Sequence, residues 1–487
     1  MLALSGCGLL AASPASAAVA PDLEVSGSRI HNETTGREFI PRGVNFPSFE
    51  YACVQGWGYS NDGAGPSTAQ AMLDWKINTV RIPLNQDCWL GDDGLPADDS
   101  FLPPFRTVTG YRNAVESFVD DLTDAGLAVI LDLHWTGQNG TVADGLRPMA
   151  DNRSDDFWGS VATRFKSNDA VIFDLFNEPH SRWDPVAHDW AFQQSWACWR
   201  NGGCQAPDQA DTDFPITGAK YTTVGMASLL AAVRGAGATQ PVILSGLDYA
   251  NDLSEWSERA PADDQLIAGF HNYPGQECNY AACWTGEIAT VAAEHPVITA
   301  EFGQRNCQAD HIERYMDWAD PKGIGYLAWA WWDIPEGCTN YALITDLDGT
   351  PTPTYGAHFR DHLLDPATPA DDEKPIDTPR LPDRKKRGNP GLKIVSAKVK
   401  GGRIKARLKV RQIAVRKVRA RIEFKLGKKK RSVRFKVETR RGLGSIKRKL
   451  PRRAKPLRLV ARYPGDKLLL PGKARLSLKS SRGVRTR

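Results

Sequence analysis

The sequence of 487 residues predicts an α/β chain in two parts, a (β/α)8 TIM barrel followed by a small, basic, all-β, sandwich-like C-terminal domain. Three observations predict this. Short apolar runs recur eight times between residues 39 and 332, and most are separated by a segment with helical patterning. Positive charge is concentrated in the last 107 residues, and a proline-punctuated stretch separates the two compositions.

The eight apolar runs indicate parallel strands, because continuous hydrophobicity is typical of strands buried on both faces. They are residues 39–46, 78–84, 127–135, 171–176, 241–246, 266–273, 296–303 and 323–332. Helical spacing of apolar residues is clearest in the segments 68–77, 111–126, 155–166, 221–237 and 309–320. Eight such units fit a (β/α)8 barrel. An open doubly wound sheet is the alternative, but the glycine-rich phosphate fingerprint that it often carries is absent.

Composition divides the chain into four segments, predicted as a signal peptide at 1–20, the barrel at 21–364, a linker at 365–390 and a Lys/Arg-rich β domain at 391–487. The leader is small and apolar, with Ala-Ser-Ala at 15–17, as in a secretory signal. It lacks a positive n-region, which leaves the true start open. A lipobox-like Leu-Ser-Gly-Cys at 4–7 makes lipoprotein anchoring the alternative to secretion. No later apolar run is long enough for a membrane span.

Cysteine usage also favours an exported protein. One of the nine cysteines lies in the leader, and an even number, eight, remains between Cys53 and Cys338. Two pairs, Cys198–Cys204 and Cys278–Cys283, are close enough in sequence to close short loops. The remaining cysteines would then pair as Cys53–Cys88 and Cys307–Cys338. Zinc ligation is the alternative, but no C-x-x-C pair occurs.

Residues 381–487 contain 40 Lys/Arg and 4 Asp/Glu, a net charge near +36, whereas the remaining residues sum to about −31. Apolar and basic residues alternate with period two, which predicts a small antiparallel sandwich, plausibly immunoglobulin-like. A disordered basic tail is the alternative. The positive field predicts binding to a polyanion, and an acidic cell-wall polymer is the expected partner of an exported chain. Nucleic acid is not expected, and a passive spacer is the competing interpretation.

The ends of the barrel strands collect polar and aromatic residues. In strand order they are Asn45, Arg81, His134 with Trp135, Asn177 with Glu178, Asp248, His271 with Tyr273, Glu301, and Trp329 with Trp331. The C-terminal ends of barrel strands form the catalytic face of this fold. The two glutamates among them, Glu178 and Glu301, carry carboxylic acids that a closed barrel can place opposite each other. Cleavage of a glycosidic bond needs such a pair, one acid to protonate the leaving oxygen and one to attack the sugar or position water.

Six segments together resemble glycoside hydrolase family 5, the cellulase family of retaining barrels. They are RIPL, LDLHW, LFNEP, HNY, VITAEFG and the tryptophan-rich eighth strand, and the resemblance covers roughly residues 28–362. It implies that Glu178 is the acid/base and Glu301 the nucleophile. It also implies a sugar subsite formed by Arg81, His134, Asn177, His271, Tyr273 and a tryptophan, Trp329 or Trp331, with Trp329 preferred.

The predicted chemistry requires no metal or cofactor, and no spacing of His, Asp and Glu indicates a metal site. The predicted function is a secreted endo-β-1,4-glucanase that acts on β-glycan polysaccharide. A β-mannanase or another β-glycan hydrolase is the alternative within the family. A non-catalytic carbohydrate- or wall-binding protein is the alternative of another class. Long loops after the fourth and sixth strands leave the sugar open, because loops set specificity on this scaffold.

Overall fold

A computed structural model describes residues 20–364, except 57, 62, 92–107, 139–140, 217 and 334–339, and the backbone of seven strands between residues 393 and 477. The predicted signal peptide, save its last residue, and the predicted linker lie outside the described residues. Among the described helices, none is long and apolar enough to cross a membrane.

Eight parallel strands close into a barrel, which confirms the predicted fold class. They are β1 Arg42–Asn45, β2 Thr79–Asn85, β3 Ala128–Trp135, β4 Val171–Asp174, β5 Val242–Ser245, β6 Leu266–Asn272, β7 Val297–Phe302 and β8 Gly325–Ala328. Each strand pairs with its neighbours in chain order, and β8 closes the barrel by pairing with β1. Every strand lies within a predicted run or extends it by a residue. The agreement is close because a strand of a parallel sheet is buried on both faces and therefore has a continuously apolar sequence.

Helices form the outer layer. They are α1 Pro66–Asp74, α2 Val108–Asp124, α3 Ser154–Phe165, α4 Met226–Gly235, α5 Trp256–Arg259, α6 Ala289–Glu294, α7 Asp310–Ala319 and α8 Tyr355–Leu364. Further helical turns lie in the loops, at Ala52–Gln55, Gln86–Leu90, Trp196–Asn201, Leu247–Ala250, Ala281–Cys283, Trp284–Ile288 and Asp320–Lys322.

The predicted start of the fourth helix was wrong. The patterning suggested a helix from residue 221, but Lys220–Val224 is a strand that pairs antiparallel with Gly202–Pro207. The β-branched residues of this segment favour an extended backbone. The helix α4 begins only at Met226.

An N-terminal hairpin covers the barrel end opposite the predicted catalytic face. Its strands are Leu23–Ser26 and Arg29–Asn32, with Arg37–Glu38 alongside. Leu23, Val25 and Ile30 pack against the apolar interior of the barrel. The Gln265 side chain, just before β6, holds the hairpin by accepting from Val25 N (2.7 Å) and donating to Val25 O (3.2 Å). This end is thus sealed by apolar packing.

The segment between β4 and α4 is the most elaborate loop of the barrel. It contains a hairpin formed by Arg182–Asp184 and Asp189–Phe192, the turn Trp196–Asn201 and the pair of strands that ends at Val224. Arg182 fixes its later part by donating to the backbone oxygens of Asp211 (2.8 Å) and Ala210 (2.6 Å). These bonds tie the later part of the loop to its first hairpin.

Three predicted disulfides are confirmed, namely Cys53–Cys88, Cys198–Cys204 and Cys278–Cys283. Cys307 is also disulfide-bonded, and Cys338 lies outside the described residues. Each of the three confirmed bonds ties a loop or short helical turn that follows a barrel strand.

The C-terminal part forms antiparallel strands, as the alternation predicts. They are Lys393–Lys400, Arg403–Lys409, Lys417–Leu426, Lys429–Arg440, Leu443–Lys449, Lys455–Tyr463 and Gly472–Ser477. The long strand Lys429–Arg440 pairs with Lys417–Leu426 along most of its length and with Leu443–Lys449 through its last two residues. It therefore joins a group of three strands to a group of four. The domain boundaries themselves stay predictions.

Replacing Gly43 by alanine should prevent normal closure of the barrel. A β-carbon at this position in β1 would lie 1.8 Å from the Thr79 carbonyl oxygen of β2. We expect a loss of about 3 kcal/mol or more in the free energy of unfolding, because neighbouring backbones cannot separate without breaking their pairing. Gly159→Ala in α3 is the control, since no atom lies within 4 Å of its added carbon and alanine favours helix. Thermal unfolding of both variants measures the difference, and equal melting temperatures would contradict it.

Candidate active site

The carboxyl ends of the strands gather a compact polar cluster in the barrel. Arg81 comes from β2, Asp132 and His134 from β3, and Asn177 with Glu178 from the turn after β4. Strands β6 and β7 add His271, Tyr273 just beyond β6, and Glu301. All eight side chains are at least largely buried, so their charges interact with little screening by water.

Arg81 is the centre of this cluster and is fully buried. Its guanidinium contacts Glu301 Oε1 (2.8 Å), Asp174 Oδ2 (2.9 Å), Asn177 Oδ1 (2.9 Å), Asn45 Oδ1 (3.0 Å) and Asp132 Oδ2 (3.1 Å). The planar fork of an arginine suits several acceptors at once. Arg81, on β2, thereby fixes side chains from β1, β3, β4 and β7 relative to one another.

The charges around Arg81 are unequal, since three carboxyl groups face one guanidinium. Burial raises the pKa of Asp132 and the pKa of Asp174 to about 7, although the Arg81 charge opposes both shifts. Burial lowers the pKa of Arg81, but Asp132, Asp174 and Glu301 outweigh this effect and raise it. The guanidinium therefore stays charged.

Glu178 lies where a carboxyl group keeps its proton. Burial and the negative charge of Glu301 raise its pKa well above the usual value, and Asp211 from the long loop after β4 adds to this. Its Oε1 lies 2.9 Å from Nδ1 of His271. Burial lowers the pKa of His271 far below its ordinary value, so this imidazole is neutral.

Glu301 has the stronger anion-stabilising partners. Its two oxygens receive hydrogen bonds from Arg81 (2.8 Å) and from the Tyr273 hydroxyl (2.8 Å). Burial still raises its pKa, but Arg81 and the Tyr273 hydrogen bond counteract the effect. Of the two glutamates, Glu301 therefore ionises first.

The two glutamates face each other closely. A carboxylate oxygen of Glu178, one of Glu301 and a ring nitrogen of His271 all lie within 4.8 Å of one another. His271 Nδ1 is 2.9 Å from Glu178 and 3.8 Å from Glu301. One atom of a substrate placed between these carboxyl groups would therefore meet both of them.

The three atoms are also close enough to bind a cation. Their lone pairs are already engaged, however, by Arg81, Tyr273 and the contact between His271 and Glu178. The other close group of potential ligands among the described residues contains two cysteines that form a disulfide. The donor set does not favour a resident metal at either place.

His134 and Trp329 form one wall of the site. Their rings are stacked, with centroids 5.6 Å apart and an angle of 11°. His134 Nδ1 contacts Asp132 Oδ2 at 2.6 Å, and burial lowers the pKa of His134 to about 3, which keeps the ring neutral. Trp329 is partly exposed and so presents a flat apolar surface beside His134.

The structure does not bring Trp331 into this cluster. Its indole is 1% exposed and packs edge-on against Trp75, with ring centroids 4.8 Å apart. The sequence left the choice between Trp329 and Trp331 open, because the alternation of a continuous eighth strand would place both on one face. That strand ends at Ala328, so the alternation of a strand does not extend to these residues. The other predicted site residues all lie in the cluster.

Sequence reasoning missed Asp132, Asp174 and Asp211 as members of the site. The first two had a readable signal, because each is a charged residue inside an otherwise apolar strand and so requires a buried partner. Asp211 had none. It lies 33 positions after Glu178 in a loop whose path only the tertiary structure defines, through Arg182 and a bond from Asp211 N to Leu146 O (3.1 Å).

Residues 34–334 match the model of the cellulase family, glycosyl hydrolase family 5. This match covers well over half of the chain and agrees with the barrel. The chain belongs to this family and is a glycoside hydrolase.

Individual relatives are more distant. The manganese-dependent endoglucanase Eg5A of Phanerodontia chrysosporium is 27% identical over 149 residues, which are 29% of this chain and 36% of that protein. The β-glucanase SdGluc5_26A of Saccharophagus degradans, solved with cellotetraose, superposes with a TM-score of 0.52 at 19% identity, over 71% of this chain and 94% of that one. A hyperthermostable endocellulase superposes with a TM-score of 0.50 at 18% identity, over 71% of this chain and 99% of that one. At these identities the solved structures support the fold alone.

Replacing Arg81 by methionine should destabilise the protein in a pH-dependent way. The change leaves Asp132, Asp174 and Glu301 buried without their cation, which costs about 3–5 kcal/mol. Their pKa values then rise further. A carboxyl group whose pKa is raised in the folded state lowers the free energy of unfolding as the pH increases above the pKa of that group in the unfolded chain, which is near 4. The deficit should thus be larger at pH 8 than at pH 5, measured by denaturant unfolding.

The exposed pair Arg29–Glu38 supplies the control for this experiment. Arg29→Met should cost less than about 1 kcal/mol at either pH, because water screens exposed ion pairs. Equal stability of the Arg81 and Arg29 variants would contradict the inference that Arg81 stabilises the buried carboxyl groups of the site.

Proposed function

We propose that this protein is a retaining endo-β-1,4-glucanase that uses Glu178 and Glu301 in a double displacement. The observation that carries the proposal is the pair of opposed carboxyl groups with unequal surroundings. One lies against a guanidinium and a phenol, and the other against a neutral imidazole and a second negative charge.

Glu301 is the nucleophile in this proposal. Its carboxylate attacks the anomeric carbon and forms a glycosyl ester while the bond to the leaving oxygen breaks. Arg81 and Tyr273 keep it ionised beforehand and fix its orientation. An ionised, oriented carboxylate already at contact distance needs little reorganisation to react.

Glu178 is the acid and then the base. Its proton passes to the leaving oxygen in the first step. The resulting carboxylate takes a proton from water in the second step, the water oxygen attacks the anomeric carbon, and the Glu301 carboxylate is released. The raised pKa of Glu178 suits the first step, and the loss of the Glu301 charge in the ester makes Glu178 easier to ionise for the second.

The spacing of the carboxyl groups supports retention of configuration. Retaining enzymes hold the groups about 5–5.5 Å apart, whereas inverting enzymes leave about 6.5–9.5 Å for a water molecule. Oxygens within 4.8 Å belong with the retaining class. Asn177, oriented by Arg81, is placed for a hydrogen bond to the sugar 2-hydroxyl, and the His134–Trp329 wall for contact with the sugar ring.

The choice of β-1,4-glucan rests on the family and on the cellotetraose and endoglucanase named for its relatives. Mannan is the alternative substrate, because the same family chemistry serves both sugars. A carbohydrate-binding protein without turnover is the competing proposal of another class. Binding alone, however, gives no reason to bury two carboxyl groups against each other.

We also propose that the protein is secreted and is retained on an acidic wall polymer by residues 391–487. The leader composition, the disulfides and the net charge near +36 in the last 107 residues support this.

Hydrolysis of soluble β-glycans tests the enzymatic proposal. Wild type should cut a β-1,4-glucan, and Glu178→Gln should lower its rate by about 10²–10⁴-fold, the usual contribution of an acid/base group. Glu301→Gln should lower the rate at least as much. Reducing-end release over a panel of glucan, mannan and xylan measures this and names the sugar. Variants that cut as well as wild type would bring forward the binding-protein alternative.

The configuration of the first product tests the mechanism separately. Proton NMR of fresh hydrolysate should show the β-anomer before mutarotation. An initial α-anomer would establish inversion and exclude Glu301 as a covalent nucleophile.

Tyr273→Phe should move the acid limb of the pH profile. The hydrogen bond that this change removes stabilises the Glu301 carboxylate, so without it the pKa of Glu301 rises and activity is lost at a higher pH on acidification. The measurement is kcat/KM from pH 4 to 8. Tyr355→Phe is the control, because its hydroxyl donates to Trp329 O (2.7 Å) and has no carboxylate partner among the residues that the structure describes. If the acid limb shifts in neither variant, the proposal that Tyr273 stabilises the Glu301 carboxylate is contradicted.

A further inference from the structure

The register of the C-terminal strands divides their residues into an apolar face and a basic face. The strand order in the group of four is Lys429–Arg440, Lys417–Leu426, Lys455–Tyr463 and Gly472–Ser477. Two rows of directly paired positions contain only apolar residues, namely Phe435–Ala420–Ala461–Ala474 and Val433–Ile422–Leu459–Leu476. Alternate positions of a strand belong to opposite faces, so these rows define one face.

The other face carries a row that is wholly basic. We call it the basic row, and it consists of Lys436, Arg419, Arg462 and Lys473, one residue from each of the four strands. The next row on the same face is Arg434, Arg421, Val460 and Arg475. The group of three strands repeats the pattern, with the rows Lys398–Lys405–Lys447 and Lys400–Arg403–Lys449.

This arrangement is unfavourable for the isolated domain. Adjacent strands are about 4.8 Å apart, and like charges at directly opposite positions destabilise a sheet. The two acidic residues of the strands offer no relief, because Glu438 is paired with Lys417 and Glu423 with Arg458. The basic row therefore lacks an acidic residue in its own register.

We propose that the basic row and the rows beside it are a binding site for a linear polyanion that carries phosphate or carboxylate groups and runs across the strands. This inference rests on the proposed retention by an acidic polymer and assigns its position. A polymer with regularly spaced anions supplies the countercharge that the strands lack, and its binding releases counterions from the polymer.

The composition of the same strands argues against nucleic acid as the ligand. Proteins that bind single strands combine positive charge with aromatic platforms for the bases. Phe424, Phe435 and Tyr463 are the aromatic residues of the segment 393–477. All three occupy register positions of the apolar face. The basic face thus offers charge without stacking, which suits a polyol phosphate or an acidic polysaccharide.

A set of full-length variants tests the position of the site. The row variant carries Arg419→Gln, Arg462→Gln and Lys436→Gln. The control removes the same charge from the apolar-face positions Lys429, Arg431 and Arg448, each also changed to glutamine. Binding to long-chain polyphosphate and to polygalacturonate is measured between 50 and 300 mM NaCl, beside single-stranded DNA. Over about this range of salt concentration, affinity that depends on counterion release falls steeply as salt increases.

The row variant should lower the slope of log affinity against log salt by about 2–3, about one for each basic side chain that no longer meets an anionic group of the polymer. The control should lower it by less than about 1. Hydrolysis of soluble glucan and the melting temperature check that all variants are folded. The conservative double variant Arg419→Lys, Arg462→Lys keeps the charges and should keep the slope.

Each outcome decides a separate point. Wild type that binds none of the polymers overturns the proposed retention and this site with it, while leaving the glucanase proposal intact. Equal slopes for the row variant and the control overturn the site but leave retention by diffuse charge. Tighter binding of DNA than of both other polymers overturns the assigned ligand class.

Discussion

The buried contacts of Arg81 organise this protein more than any other interaction. One guanidinium, carried by β2, contacts side chains from four other strands, and it does so where three carboxyl groups would otherwise repel one another in a dry interior. Removing water strengthens both the attraction and the repulsion. The barrel must therefore close with Arg81 in place, and the geometry of the cleft follows from that closure.

The position of Arg81 also gives the two glutamates different surroundings. Glu301 lies against the guanidinium, whereas the nearest polar partner of Glu178 is a neutral histidine. Two carboxyl groups of identical chemistry thus acquire different proton affinities from their surroundings alone. The long loop after β4 reinforces the difference by bringing Asp211 near Glu178, and Arg182 holds that loop through its backbone. A residue that does not contact Glu178 thereby favours the protonated state of its carboxyl group.

Much of this site could be predicted. Polar residues at the end of an apolar strand are expected at the carboxyl ends of the barrel strands. This reasoning placed Arg81, His134, Glu178, His271 and Glu301 together, and the structure brings them into one cluster. Asp132 and Asp174 were missed because the prediction emphasised the ends of strands, although a lone charge within a buried strand already requires a partner. Trp331 was misplaced because its side depends on where β8 stops, and strand ends are the least certain feature of any sequence pattern.

The sequence by itself determined the barrel and the order of its strands, and it suggested the two glutamates and three disulfide pairs. Hydrophobic period, residue type and spacing are local properties, and each of these features depends on them. Only the tertiary structure decided the distance between Glu178 and Glu301, which groups surround each of them, and which tryptophan reaches the cleft. These depend on how residues up to 220 positions apart meet across a closed sheet, and a buried charge responds to every neighbour within a few ångströms, whatever its place in the chain.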